Sequence, residues 1–160
     1  PVRSLAWSPD GQNLFGVHRD GTVLGWTLPD GAVLLSLALP GAGCCAVSAD
    51  WLVVGSDRGV LHLLERATGA QHELSGLTGP VVGCAVAAHL AWAVTRSGQV
   101  VTWNLQTGEA EELHTLTGRV LDCASRPHAA DQLVVVGTAG VALLSARFAT
   151  VRVGGTSGLN

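Results

Sequence analysis

The sequence predicts an all-β protein made of four copies of one four-stranded antiparallel unit. Three observations predict it. Four glycines in turn contexts, Gly21, Gly59, Gly98 and Gly140, follow one another at spacings of 38, 39 and 42 residues. A second series, Leu5, Cys45, Cys84 and Cys123, runs at 40, 39 and 39, and each member is followed by alanine. No segment carries the apolar periodicity of an amphipathic helix, whereas short apolar runs bounded by glycine-containing turns recur throughout. Four strands repeated about every 40 residues describe the blades of a β-propeller.

Each element follows from the residues of the repeat. In the third copy the strands are expected at Val81–Val86, Ala91–Thr95, Val100–Asn104 and Ala110–Leu113. The first is small and apolar, as a strand covered on both faces should be. The second and third meet at Arg96-Ser97-Gly98, where glycine supplies a positive φ without steric cost. The third and fourth meet at Gln106-Thr107-Gly108, matching Pro29-Asp30-Gly31 and Ala67-Thr68-Gly69. The fourth, with Glu109, Glu111 and Glu112, is polar and belongs at the outside. The four blades fall at about 1–40, 41–77, 78–116 and 117–153, with 154–160 as a tail or linker.

The run from Val2 to Gly11 reads like the first strand and turn of a WD40 repeat. The run from His18 to Trp26 resembles that family's passage from second to third strand, ending on its tryptophan. Leu74 to Val81 looks like its lead-in to the next blade. The chain resembles degenerate WD40-like propellers over residues 1–153. The resemblance implies a buried tetrad of His, Ser/Thr, Asp and Trp. Its Trp stands at Trp26 and Trp103, its Ser/Thr at Ser56 and Thr95, and its Asp only at Asp20, while Leu77 occupies a His position. With no full tetrad in any blade, apolar packing has to hold these blades together.

Composition bounds the function. Of 160 residues, 48% are hydrophobic and only 13% charged, so much of the chain is covered or needs neighbours. A net charge of −3 does not favour nucleic acid or an anionic membrane. No apolar run approaches the roughly 20 residues of a membrane helix. There is no secretory leader pattern, so a cytoplasmic location is expected. The chain has no Met, which points to a piece of a longer protein, and its nine basic residues are all Arg, as in a GC-rich bacterial genome.

The candidate chemical groups read as structural. Cys45, Cys84 and Cys123 lack metal or redox spacing and fall on inner strands, where cysteine acts as a small hydrophobe. Adjacent Cys44 and Cys45 should point to opposite sides of one strand. The six histidines form no metal motif, and nucleophile-elbow and phosphate-loop patterns are absent. No catalytic residue, metal or cofactor is expected.

One surface signal remains. The second-to-third strand turns and the blade connections share one end of a propeller, and they carry Arg19, Arg58, Arg96 and Arg119 against Asp20 and Asp57. The opposite turns carry Asp10, Asp30, Asp50, Asp131 and Glu65 against Arg66 and Arg126. The expectation is a non-catalytic interaction, scaffold or sensor module of a larger signalling or regulatory protein, binding a protein partner such as an acidic peptide or loop. The alternative is an enzymatic propeller with a ligand or metal in the central channel, for which Arg3, Ser4 and Asp122 are the polar candidates. Four blades should also leave apolar end faces bare. The arc is therefore a partial ring of a larger propeller, continued by further blades in the chain, or half of a dimeric ring closed by a second copy.

Overall fold

Alternating side chains and tightly turned glycines organise the chain into sixteen strands in the computed structural model, which describes residues 1–125, 132–145 and 148–152. The first blade holds β1 (Val2–Trp7), β2 (Asn13–His18), β3 (Thr22–Thr27) and β4 (Val33–Ala38). The second holds β5 (Ala42–Val47), β6 (Trp51–Ser56), β7 (Leu61–Glu65) and β8 (Gln71–Leu74). The third holds β9 (Val81–Ala87), β10 (Leu90–Thr95), β11 (Gln99–Asn104) and β12 (Ala110–Thr115). The fourth holds β13 (Val120–Ser125), β14 (Gln132–Gly137), β15 (Gly140–Ser145) and β16 (Phe148–Arg152). Each blade is a simple antiparallel meander in chain order. The strands expected in the third copy are these strands to within two residues.

The first strands are the inner ones. β1 packs on β5, β5 on β9 and β9 on β13, while no comparable contact joins β13 back to β1. The described blades therefore form an open arc. Every inner strand slips register at the same place, so Arg3, Gly43, Val82 and Leu121 each bulge out of the ladder to the second strand.

Each blade has a face toward the blade before it, its leading face, and one toward the blade after it, its trailing face. Period-2 alternation sends neighbouring residues to opposite faces. Three apolar slabs fill the gaps. Phe15, Val17 and Val23 of the first blade meet Cys45, Leu52, Val54 and Leu64 of the second. Cys44, Val53, Leu61 and Leu63 meet Cys84, Val86, Ala91 and Trp103 of the third. Ala85, Trp92, Val94 and Val100 meet Val120, Leu133, Val135 and Leu144 of the fourth. Cys44 and Cys45 thus serve different slabs, and all four cysteines are free thiols.

Candidate interaction surface

The turn glycines build one end of the arc. Gly21, Gly59, Gly98 and Gly140 all have positive φ, between 76° and 119°. A Cβ at Gly21 would come 2.7 Å from the Leu39 carbonyl oxygen, one at Gly59 would meet Leu77 O, and one at Gly98 would meet Leu116 O. These glycines therefore let the connection to the next blade lie directly on the β-turn. Backbone bonds stitch the two together. The Leu39 amide donates to Gly21 O and the Leu116 amide to Gly98 O, both at 2.8 Å. On the other side, the Asp57, Arg96 and Thr138 amides donate to Gly41 O, Pro80 O and Arg119 O.

Ser56 and Thr95 fix the same turns. Ser56 Oγ accepts from the Val60 amide at 3.2 Å, and Thr95 Oγ1 from the Gln99 amide at 3.1 Å. Asp20 does this in the first blade by accepting from the Thr22 amide at 2.9 Å. That bond holds its carboxyl below the usual aspartate value. These residues act inside single turns. Trp103 is buried between the second and third blades, whereas Trp26 is only half-buried, its ring 6.4 Å from that of His18.

Arg19, Arg58, Arg96 and Arg119 are all exposed on these turns and connections. None forms an ion pair among the described residues, where the one histidine–carboxylate contact is His62 Nδ1 to Glu73 Oε1 at 3.2 Å. Of the nearby carboxylates, Asp20 is engaged with its turn, and Asp57 lies over Gly41. At the opposite end the Arg66 guanidinium is occupied, donating to Ser48 O at 2.9 Å and Ala49 O at 2.8 Å. Asp10 there is held low by the Ser8 hydroxyl and the Gln12 amide. Arg126 and Asp131 lie outside the described residues.

The inner strands do not gather Arg3, Ser4 and Asp122 into one site. Ser4 Oγ accepts from the Cys45 amide at 3.2 Å, and Asp122 Oδ1 accepts from its neighbour Cys123 at 2.8 Å. Burial raises the Cys45 thiol to about 11, despite the Ser4 hydroxyl, and the Cys123 thiol to about 12. Cys84 is also raised, first by its contact with Cys44 and then by burial. Thiols held protonated are poor nucleophiles.

Sequence spacing gives no hint of a cleft of about 250 Å³ at the outer seam of the first two blades. It is lined by Leu37, Leu39 and Val54 together with His62, His72 and Glu73. These residues come from β4 and the connection after it and from β6, β7 and β8, and only the docking of the two blades brings them together.

No family model matches the chain. It is 18% identical to the WD40 repeats of RRP9 in their crystal structure, with a TM-score of 0.80 over 94% of this chain and 50% of that one. The fold is that of a WD40 β-propeller. The chain thus spans half the length of that propeller structure. It is also similar to the computationally designed Ika4 protein, 17% identical with a TM-score of 0.76 over 91% of both chains. Among curated proteins, zinc finger CCCH domain-containing protein 17 of Oryza sativa subsp. japonica is 30% identical over 104 residues, 64% of this chain and 23% of that protein. These matches do not point to a bacterial source. Among the described residues, no helix is long and apolar enough to cross a membrane.

Proposed function

We propose that this chain is a non-catalytic protein-interaction module of a larger regulatory or signalling protein, using the turn end of its blades to dock an acidic peptide or loop. The observation that carries the reading is the set of four exposed guanidiniums, Arg19, Arg58, Arg96 and Arg119, on turns and connections that hydrogen bonds join at one end of the arc. The turns beneath them are fixed by glycine geometry and by Ser56, Thr95 and Asp20. Such a surface presents charge on a rigid support, so little ordering entropy opposes binding. Rim charges of this kind contribute mainly to on-rate and specificity. The WD40-type fold of the solved neighbours agrees with a scaffold role.

The test is a titration of isotope-labelled protein with a glutamate-rich peptide, followed by amide chemical shifts. Shifts are expected around the four arginines, with affinity falling as salt rises. Changing Arg19, Arg58 and Arg96 together to Ala should weaken binding about tenfold, which is about 1.4 kcal/mol. Unchanged affinity in the triple variant, or shifts clustered at the opposite turns, refutes the reading.

A further inference from the structure

β4 is the outer strand of the first blade and pairs with β3 alone. Its sequence, Val33-Leu34-Leu35-Ser36-Leu37-Ala38, carries no charge. Val33 is 64% and Leu34 53% exposed. The outer strands of the next two blades differ. Where β4 has Val33, Leu35 and Ser36, β8 has Gln71, His72 and Glu73, and where β4 has Leu34 and Leu35, β12 has Glu111 and Glu112. Charged side chains on an outer strand keep other strands from pairing with it. The bare leading face of the first blade does not account for the exposure. Gln71 and Ala110 hold the place of Val33, and both are exposed in blades that do have a predecessor.

The backbone of β4 is set for a further strand. The Leu39 amide bonds to Gly21 O, while Ala38 stands opposite Thr22. In an antiparallel ladder this turns the amide and carbonyl of Ala38 away from β3, and those of Ser36 with them. Side chains of a strand laid along β4, opposite Leu35 and Leu37, fall on the trailing side of the blade. That side opens on the cleft of about 250 Å³, with Leu37 and Leu39 on its first-blade wall and Val54, His62 and Glu73 on its second-blade wall. The next seam along the arc is closed. Leu74 and Leu77, at the places of Leu37 and Leu39, are buried, whereas Leu37 and Leu39 are half-buried.

We propose that β4 and this cleft take up an extended segment of a partner protein, which adds a strand to the first blade and sets alternate side chains, aliphatic and basic, into the cleft. The apolar floor suits Leu or Val. Glu73 at the rim, 69% exposed and 3.2 Å from His62 Nδ1, suits Lys or Arg. A second copy offering its own β4 would bring no cation to Glu73, since that strand is uncharged. This surface is distinct from the arginine-bearing turns and calls for a basic segment where they call for an acidic one.

The probe is the acetylated and amidated peptide Leu-Thr-Arg-Thr-Leu-Thr, titrated into isotope-labelled chain. Amide shifts are expected along residues 33–38 and at His62, His72 and Glu73. Ser36→Pro removes the outward amide and no bond to β3, a change that an outer strand tolerates. It should weaken binding about tenfold. Glu73→Gln should weaken it about threefold and flatten its salt dependence. If Ser36→Pro loses the circular dichroism of a folded β protein, Leu34→Lys, which places a charge on the exposed edge, takes its place. Absence of shifts along β4, or unchanged affinity in these variants, overturns the proposal. So do shifts along 33–38 that grow with protein concentration without peptide, which make a second copy the occupant. Slow hydrogen exchange at Ser36 and Ala38 in the chain alone, the mark of an edge already covered, overturns it as well. Changing Arg19, Arg58 and Arg96 together to Ala should leave this affinity unchanged, so the two surfaces stand or fail separately.

Discussion

Ser4 of the first blade accepts a hydrogen bond from the amide of Cys45 in the second, 3.2 Å long and bridging two inner strands. The same pair of positions meets at the other two interfaces. Cys44 contacts the Cys84 thiol, and a Cβ on Gly83 would run into Cys123 Sγ. This inner contact sets how closely one blade approaches the next.

Replacing Ser4 with alanine leaves the Cys45 amide without that acceptor. A neutral hydrogen bond contributes about 1 kcal/mol net. Ser4→Ala should lower the unfolding free energy by about that amount in urea titration, with no change in the slope.

The turn glycines differ in what surrounds them. Gly98 has φ +96°, and a Cβ there meets the Leu116 carbonyl; Gly108 has φ +74° with nothing within 4 Å. A left-handed conformation costs an L-residue roughly 1–2 kcal/mol. Gly108→Ala should lose about that much, while Gly98→Ala loses more, about 3 kcal/mol, because backbone must also move. Equal losses would show that the close approach of turn and connection does not matter.

Buried thiols make the fold sensitive to alkali. A free thiol ionises near 9.0, whereas Cys45 is raised to about 11 and Cys123 to about 12. Both contributions are fully present below pH 9.0. Above it the unfolded chain loses protons that the folded chain keeps, so stability falls until pH passes the folded values. At about 1.4 kcal/mol for each pH unit between the two values, Cys45 alone removes roughly 2 kcal/mol by pH 11, where the folded thiol is itself half ionised. Urea midpoints measured below pH 9.0 and near pH 11 should show this decline; a flat profile contradicts it.

Thr102 and Trp92 are cross-strand neighbours with buried polar atoms, Thr102 Oγ1 and Trp92 Nε1, that lack partners among the described residues. An unpaired buried hydroxyl is unfavourable. Thr102→Val keeps the shape and removes it, so thermal unfolding should show a stability unchanged or raised by up to about 1 kcal/mol.

The strands, turns and four-fold repetition were legible because glycine geometry and period-2 alternation are written residue by residue. The alanine after Leu5, Cys45, Cys84 and Cys123 reports a trailing face, and the residue before it a leading face. The inner-strand bulges were hidden, since Arg3, Gly43, Val82 and Leu121 share no chemistry. Ser56 and Thr95 were found as a repeated position, but their local role, each accepting from its own turn, required coordinates. Arg66 reads in sequence as a free counter-charge, yet tertiary packing gives it two carbonyls. The His62–Glu73 pair joins neighbouring strands of one blade and has no counterpart in the repeat, and its cleft was invisible because two blades supply the lining.

The most direct test of the docking surface is charge reversal at the turn end, where Arg19, Arg58 and Arg96 are all exposed. A chain carrying Arg19→Glu, Arg58→Glu and Arg96→Glu, titrated with the glutamate-rich peptide at low salt, should lose binding while its circular dichroism stays that of the wild type. Binding of wild-type affinity in that variant would contradict docking at this end of the blades.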